Sequence, residues 1–251
     1  MRSAVFEARD LEQRRNYTFL RHEEKRNLDA SGKTSKVTRR TSEVLILYGR
    51  PYERTVAENG KPLPPEKEKK EQEKFDKEMR KRREESAKSR EKHIADEKKD
   101  IEEARQFRLE VADAYNFSLL GDDLVDGHPA WIIQAEPRTD FRPRSREGGI
   151  LPKIRGKLWV SKEDHRWVRI EAEVVQTFSF GWMLLRLNPG SRLTFEAMKI
   201  NDEVWMPRQA YIRGEGRLAL LKKINLELLV RWEKYRKFQS DSRIVAVSEP
   251  E

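Results

Sequence analysis

The sequence predicts a mainly β fold: a curved antiparallel sheet or half-barrel, with an N-terminal helix and a long charged helix inserted between the early and the late strands. Three observations predict it. Between Gly156 and Phe238, apolar and polar residues alternate with the period of a half-buried strand. Turn residues separate these stretches every 8 to 14 residues or so, as in an antiparallel meander. A charged run after Pro64 and Pro65 has the acid-to-base spacings of a helix.

The alternation is clearest in the last long stretch of this region. There, five apolar residues stand at every second position, and mostly charged or polar residues stand between them, as in Ile224, Leu226, Leu228, Val230 and Trp232 against Asn225, Glu227, Arg231 and Glu233. Residues 168–174 and 193–197 repeat the pattern. Each stretch therefore has one apolar and one polar face, which predicts a large sheet covered on one side.

We interpret the 251 residues as a single domain. The second part of the charged helix carries a broader apolar stripe than the first, so we expect it to dock on the sheet, while the first part is a solvated arm. The predicted elements are an N-terminal helix at 3–14, hairpin strands at 15–60, the long charged helix at 64–115, the main antiparallel sheet at 116–238 and a tail at 239–251.

The net charge of +9 does not by itself indicate a nucleic-acid partner. Between Glu66 and Arg105 basic and acidic residues nearly balance, so this segment has no continuous positive stripe. The excess lies in a loop after residue 137, where we expect four arginines to be candidates for contact with an anionic partner, namely Arg138, Arg142, Arg144 and Arg146. A solvated basic loop without a partner is the alternative. We expect no nucleic-acid binding.

No motif indicates catalysis, a metal site or a cofactor. The chain has no cysteine, and its four histidines, His22, His93, His128 and His165, stand apart without metal-ligand spacing. The fragments at 32–34 and 214–216 lack the further glycines of phosphate-binding and dinucleotide-binding loops. We therefore expect no enzyme activity and no cofactor, and a hydrolase is only a remote alternative.

The aromatic and aliphatic residues of the main sheet outnumber what two modest helical segments can cover. An apolar groove on the concave face is therefore one interpretation, and a filled core is the other. The residues predicted to line such a groove are Ile170, Val174, Phe178, Phe180, Trp182, Phe195, Leu226, Leu228 and Trp232.

Over roughly residues 100–244 the order of features resembles the periplasmic lipoprotein carrier and outer-membrane lipoprotein-sorting superfamily. The residues that carry the resemblance are Asp126-Gly127 before 130–133, Gly156-Lys157-Leu158-Trp159-Val160, Trp167-Val168-Arg169-Ile170-Glu171, Val204-Trp205-Met206-Pro207 and Tyr235-Arg236-Lys237-Phe238. The resemblance implies a half-barrel that shelters acyl chains or an apolar partner segment in the cell envelope. The charged helix departs from the superfamily's pattern, so the fold transfers more safely than the function.

The leading hypothesis is a non-enzymatic envelope protein that binds a lipid, a lipoprotein acyl chain or another apolar ligand on the concave face. The alternative is an interaction protein with a filled core that uses the charged helix or the basic loop to bind an envelope protein or an anionic surface. No apolar run is long enough to span a bilayer, so membrane contact is expected to be peripheral. A periplasmic or envelope location requires an export signal that has been removed, and a cytoplasmic location is the alternative.

Overall fold

The computed structural model describes residues 13–180, 185–218 and 222–237. Gln13 and Arg14 are helical, and the rest of the predicted N-terminal helix lies outside the described residues, as do the predicted tail and Trp182.

The described chain is built mainly from antiparallel strands. The strands are β1 (Tyr17–Leu28), β2 (Thr34–Leu47), β3 (Arg50–Glu58), β4 (Lys61–Pro62), β5 (Tyr115–Val125), β6 (His128–Pro137), β7 (Ile154–Ser161), β8 (Trp167–Val174), β9 (Phe178–Phe180), β10 (Leu185–Leu187), β11 (Arg192–Ile200), β12 (Val204–Leu218) and β13 (Lys222–Lys237). The helices are α1 (Pro65–Arg83), α2 (Ala87–Ala114) and a 3-10 helix (Glu147–Lys153).

The strands form one open, curved sheet with the order β4-β3-β2-β1-β13-β12-β11-β8-β7-β6-β5. The short strands β9 and β10 form a hairpin whose second strand also pairs with β12. Every pairing is antiparallel, and in the described part of the chain the sheet does not close into a barrel. The predicted fold class is confirmed. The first and last hairpins, β3–β4 and β5–β6, form the two edges of the sheet.

The charged segment forms two helices, whereas the sequence predicts one. The first helix begins at a proline, whose fixed φ suits a first helical position. The break at 84–86 has a local cause, because Ser86 is extended (φ −66°, ψ 155°) and its hydroxyl oxygen accepts the backbone N–H of Ser89. This is an N-cap, so a new helix begins there.

The first helix is not the solvated arm that the sequence predicts. Although α1 buries no residue, it lies along the outer side of β3. The carboxylate of Glu71 accepts the backbone N–H of Thr55 at 3.3 Å, and the ring of Phe75 packs edge-on against Tyr52 at 5.6 Å. The guanidinium of Arg82 donates to three backbone carbonyl oxygens where β2 turns into β3. The helix therefore covers this edge of the sheet.

The tightest packing lies at the ends of the strands. At the end with the 126–127, 162–166 and 201–203 turns, one buried cluster contains Val125, Ala130, Trp159, Val168, Ala197 and Trp205, and another contains Tyr17, Val204 and Met206. At the opposite end, the last turn of α2 and the 3-10 helix pack on the sheet through Val111, Ala114, Tyr115, Ala135 and Leu151. We refer to these as the strand-end clusters.

A buried carboxylate ties α2 to the basic loop. Glu110 is 3% exposed and accepts the backbone N–H groups of Arg144 and Ser145 and the Ser145 hydroxyl. Burial by itself raises the pKa of Glu110, but these hydrogen bonds outweigh it and hold the pKa below its ordinary value. A side chain at Gly148 would collide with this carboxylate and would force it to move away from its hydrogen-bond donors. The loop is therefore fixed to the helix at this point.

Candidate apolar binding face

One face of the sheet carries two uninterrupted rows of apolar residues. Directly opposite residues in an antiparallel pair project to the same face, so each row can be followed from strand to strand through the register. The first row is Leu119, Ile133, Leu158, Ile170, Phe195, Ala210 and Val230. The second row is Phe117, Ala135, Gly156, Ala172, Leu193, Ile212 and Leu228. We call these two rows the apolar face.

The apolar face is only partly buried by the residues that the structure describes. Of its members, Ala135 and Val230 are buried. Phe117 and Leu119, at the sheet edge, are 43% and 66% exposed, and Leu193, in the middle, is 38% exposed. The remaining members are half-buried. The centre of the sheet therefore presents apolar side chains that the described helices do not seal.

The second helix spans the sheet but packs on it only near its end. Glu97 pairs with Arg15, just before β1, and further along the helix Val111 packs beside Ala135 of the apolar face. Between these two anchors no residue from 98 to 109 is buried, and Ile94, just before the first anchor, is 53% exposed. The middle of α2 therefore makes little contact with the apolar face.

The opposite face of the same strands is charged. There, charged register partners of successive strands lie side by side and form a ladder of basic and acidic residues. Its members, in strand order, are Arg155, Glu173, Arg192, Arg213, Glu227 and Arg26. The nitrogen–oxygen distances along it run from 3.1 Å, between Arg155 and Glu173, to 4.0 Å, between Arg26 and Glu227. In β7, β8, β11, β12 and β13 the sheet is thus apolar on one face and charged on the other, and its charged side is the solvated one.

Both apolar rows stop at β1. Across the β13–β1 pairing, Val230 lies opposite Glu23 and Leu228 lies opposite Lys25. One strand further, Glu23 pairs with Arg40 at 3.2 Å. The apolar face is therefore confined to β5, β6, β7, β8, β11, β12 and β13, and the N-terminal strands continue the sheet with ions on the same face.

The structure brings six of the predicted groove residues onto one face. Ile170, Phe195 and Leu228 are members of the two rows. Val174 and Leu226 follow two positions further along β8 and β13, on the same face, with Val174 buried and Leu226 half-buried. The sixth, Trp232, follows Val230 on β13 and is half-buried.

The other three predicted groove residues are not placed on this face. Phe178 is buried in the β9–β10 hairpin. For Phe180 the structure describes the backbone in β9 but not the side chain, and Trp182 lies outside the described residues. Whether these residues contact a ligand stays a prediction.

Sequence reasoning missed several members of the apolar face. Leu158 begins a continuous apolar run with Trp159 and Val160, so alternation did not assign it to a face. Ile133 was hidden in a continuous apolar run, where the sequence has no alternation that would assign a residue to one face of the strand. Ile212 was hidden because its neighbour Tyr211 is also partly apolar.

The four arginines of the basic loop differ in their partners. Arg138 pairs with Asp140 at 2.8 Å, and Arg144 pairs with Asp113. Arg142 donates only to the adjacent backbone carbonyl oxygen of Phe141, and Arg146 has no ion pair with any residue in the described part of the chain. Two exposed guanidinium groups, those of Arg142 and Arg146, are thus available at this loop.

The histidines do not converge. His22 lies 2.7 Å from the Glu233 carboxylate, His93 lies 2.9 Å from Glu85, and His165 packs near Trp131. His128 stands between the carboxylates of Glu163 and Asp202, at 3.8 and 3.9 Å. Within residues 13–180, 185–218 and 222–237 no group of metal-ligating side chains is found, and no helix there is long and apolar enough to cross a membrane.

No protein-family model and no curated protein matches the chain. Among solved structures it is similar to a putative outer membrane lipoprotein-sorting protein domain from Vibrio parahaemolyticus, at 10% identity over 97% of this chain and 94% of that one, with a TM-score of 0.31. A LolA superfamily protein from Nitrosomonas europaea matches at 9% identity over 95% and 93%, with a TM-score of 0.30. The MucA/MucB complex structure from Pseudomonas aeruginosa matches at 9% identity over 96% and 100%, with a TM-score of 0.24.

Proposed function

We propose that this chain is a non-enzymatic binding protein of the cell envelope, which holds an acyl chain of a lipid or lipoprotein on the apolar face. One observation carries the proposal: two neighbouring rows of apolar register partners cross seven strands and remain partly exposed. A soluble monomer rarely exposes so continuous an apolar surface unless the surface binds something.

The size of the apolar face suits a hydrocarbon chain. Seven strands spaced roughly 4.8 Å apart extend over about 29 Å, about twice the ~15 Å that one leaflet contributes to the ~30 Å hydrocarbon core of a bilayer, so a whole acyl chain fits along the face. Two adjacent rows form a strip along which an extended acyl chain can lie. Each methylene that leaves water contributes about 0.8 kcal/mol, so a chain that is buried only in part still gains several kcal/mol.

The chemistry of the face selects for hydrocarbon rather than for a polar ligand. None of the residues in the two rows carries a charge or a hydrogen-bonding side chain. A sugar, a nucleotide or a peptide backbone placed there would lose its hydrogen bonds to water without replacing them, which costs several kcal/mol. A methylene chain has no such groups and loses nothing.

The basic loop adjoins the same face and suits an anionic head group. Phe141 packs against the cluster that contains Ala135, and Ala135 belongs to the second apolar row. Arg142 and Arg146, in this loop, are exposed. A carboxylate or phosphate at the end of the chain would gain charge-assisted hydrogen bonds from such guanidinium groups. In this proposal Arg138 and Arg144 contribute less, because each already pairs with an aspartate.

Binding of a fluorescent fatty acid to two single variants tests the proposal. Phe195→Glu places a carboxylate in the first apolar row, and Thr194→Glu places one at the next position of β11, on the charged face. We expect Phe195→Glu to weaken binding about tenfold or more, because it puts a charge beside hydrocarbon, and Thr194→Glu to leave it nearly unchanged. Absence of binding by the unaltered protein would contradict the proposal.

The alternative, an interaction protein with a filled core, makes the opposite prediction for the same pair. If the apolar face is not a binding surface, neither glutamate variant changes the interaction with a partner, and both affect stability alone. Charge reversal at Arg142 and Arg146 then becomes the informative change, since in the alternative these exposed guanidinium groups are the cations that contact an anionic partner.

A further inference from the structure

The two edges of the sheet are treated differently. At the β3–β4 edge, α1 lies along the outer strand, where the Glu71 carboxylate accepts the Thr55 N–H and Phe75 packs on Tyr52. At the other edge, β5 pairs with β6 on one side and with no strand of the described residues on its other side. Bare strand edges are templates for pairing with another chain, which is why proteins commonly cover or charge them.

The uncovered edge strand also exposes large apolar side chains. Phe117, Leu119, Leu120 and Leu124 are 43%, 66%, 53% and 64% exposed. The strand contains no lysine, arginine or proline, which are the usual residues that discourage edge pairing. Its two acids are already engaged within the chain, since Asp122 pairs with Lys162 at 2.6 Å and Asp123 accepts the indole N–H of Trp159 at 2.8 Å. The side chains of β5 therefore offer little opposition to pairing of this strand with a strand of another chain.

We propose that β5 is an interface at which two copies of this chain associate, with their β5 strands antiparallel about a two-fold axis near Leu119 and Leu120. The charge distribution of β5 favours a second copy as the partner. Its acids lie in the C-terminal half, at 122 and 123, and its N-terminal half carries uncharged residues such as Asn116 and Ser118. Antiparallel pairing places the acids of one strand opposite the uncharged half of the other, so two copies pair through the same strand without bringing like charges together.

A bulge between Leu119 and Gly121 shapes this interface. The extra residue bends the strand and interrupts a continuous hydrogen-bonded ladder. The exposed Leu119 and Leu120, beside and within the bulge, therefore supply most of the contact, with backbone pairing limited to the flanking residues. This arrangement gives a closed dimer and not an open-ended stack of sheets, because a two-fold axis uses the same β5 edge of both copies.

The dimer has a consequence for the apolar face. Leu119 and Phe117 are the edge members of its two rows, so the rows of two copies meet at the interface. Because a two-fold axis perpendicular to the sheet keeps the same face on the same side, two apolar faces become one contiguous surface. The association itself does not depend on ligand binding, and its test uses no ligand.

Sedimentation velocity over a range of protein concentrations tests the proposal. We expect the unaltered chain to dimerise reversibly, and the double variant Leu119→Lys, Leu120→Lys to remain a monomer at the highest concentration. Ile94→Lys is the matched control, because Ile94 is 53% exposed on α2, away from β5, and its variant should dimerise as the unaltered chain does. Circular dichroism melting shows whether each variant is folded. A chain that is monomeric throughout, or a dimer that the double variant leaves intact, would overturn the proposal.

Disulfide cross-linking provides an independent measurement that does not remove the apolar side chains at neighbouring positions. The chain contains no cysteine, so one introduced cysteine is the sole thiol. Under mild oxidation we expect Leu120→Cys to form a covalent dimer in high yield, since the two introduced thiols lie close to the axis, and Ile94→Cys to form little. Equal yields at both positions would contradict a β5 interface.

Discussion

The two halves of the sheet are built from similar strands but present different surfaces. In the seven strands that share the apolar face, the apolar residues of each strand lie beside apolar residues of the neighbouring strands. In β1 and β2 the same positions hold ions, so Leu228 has Ile212 on one side and Lys25 on the other. Alternation along a strand therefore makes a strand amphipathic, but a continuous apolar face also requires apolar register partners on the neighbouring strands.

The two halves also differ in what stabilises them. In the N-terminal strands, Arg21 pairs with Glu23 and Glu53, Glu24 pairs with Arg26 and Arg39, and α1 covers the outer edge. In the seven-strand part, the packing lies in the strand-end clusters and the centre is left partly exposed. We infer that the strand ends carry the stability of this part and that its centre is free to serve binding.

The largest expected effect tests this division. Trp205→Ala removes a 2% exposed ring from a strand-end cluster, so we expect it to lower the free energy of unfolding by about 3–5 kcal/mol. Leu193→Ala, in the centre of the apolar face, should cost less than about 1 kcal/mol, because its side chain is 38% exposed. Urea unfolding measures both. Equal losses would show that the centre is as tightly packed as the ends.

The next effect concerns the carboxylate that joins α2 to the basic loop. Glu110→Ala leaves the N–H groups of Arg144 and Ser145 without their acceptor, so we expect a loss of about 2–3 kcal/mol. Asp113→Ala is the control, since it removes only an exposed pair with Arg144, which is worth at most about 1 kcal/mol. A similar loss in both variants would show that Glu110 contributes nothing beyond its charge.

The pH dependence of stability gives a second measure of Glu110. Its pKa is lowered in the folded state, so its stabilising contribution is complete above the ordinary value near 4.5 and declines as the pH falls towards the lower folded value. Acid therefore destabilises the unaltered chain in this range. In Glu110→Gln that part of the decline should be missing from urea unfolding curves recorded between neutral pH and about pH 3. An unchanged pH profile would assign the decline to other carboxylates.

A smaller change sharpens the boundary between the two halves. Lys25→Leu continues the second apolar row from Leu228 onto β1. We expect fatty-acid affinity to rise roughly threefold to tenfold, as additional apolar area becomes available to the chain. Arg26→Leu, at the next position and on the charged face, should not raise it. If both raise affinity alike, the ligand is not held on the face defined by the two rows.

The smallest effect is expected on the charged face. Glu227 lies between Arg26 and Arg213, at 4.0 and 3.8 Å, in a solvated ladder. Glu227→Gln should lower stability by less than about 1 kcal/mol, and the difference from the unaltered chain should shrink at high salt. Thermal melts at low and high ionic strength check this. A large, salt-independent loss would mean that this face is packed against something.

Much of the fold could be predicted from alternation and turn spacing, because both depend on neighbouring residues. Alternation also selected Ile170, Phe195 and Leu228, which the register aligns. The pairing of β11 with β8, past the intervening β9–β10 hairpin, could not be predicted, since no local signal specifies which strands become neighbours. For that reason the rows across the sheet, and with them Ile133 and Ile212, emerged only from the structure.

The helices show the same limit. The charge spacing predicted a helix after Pro64, but the break depends on one hydroxyl group, that of Ser86, within a segment that is otherwise strongly helix-forming. The contact of α1 with β3 depends on a few residues such as Phe75, whose partner lies more than twenty positions earlier in the chain. Periodicity cannot identify partners at that distance.

Labelling two adjacent positions of β11 tests the central claim most directly. Leu193→Cys and Thr194→Cys, each carrying an environment-sensitive fluorophore, place a reporter on the apolar face and on the charged face of the same strand. When palmitic acid is added, we expect the emission of the label at 193 to change with saturation, since the acyl chain occupies or displaces it, while the label at 194 stays constant. Equal changes at both positions, or none at either, would contradict an acyl-binding face.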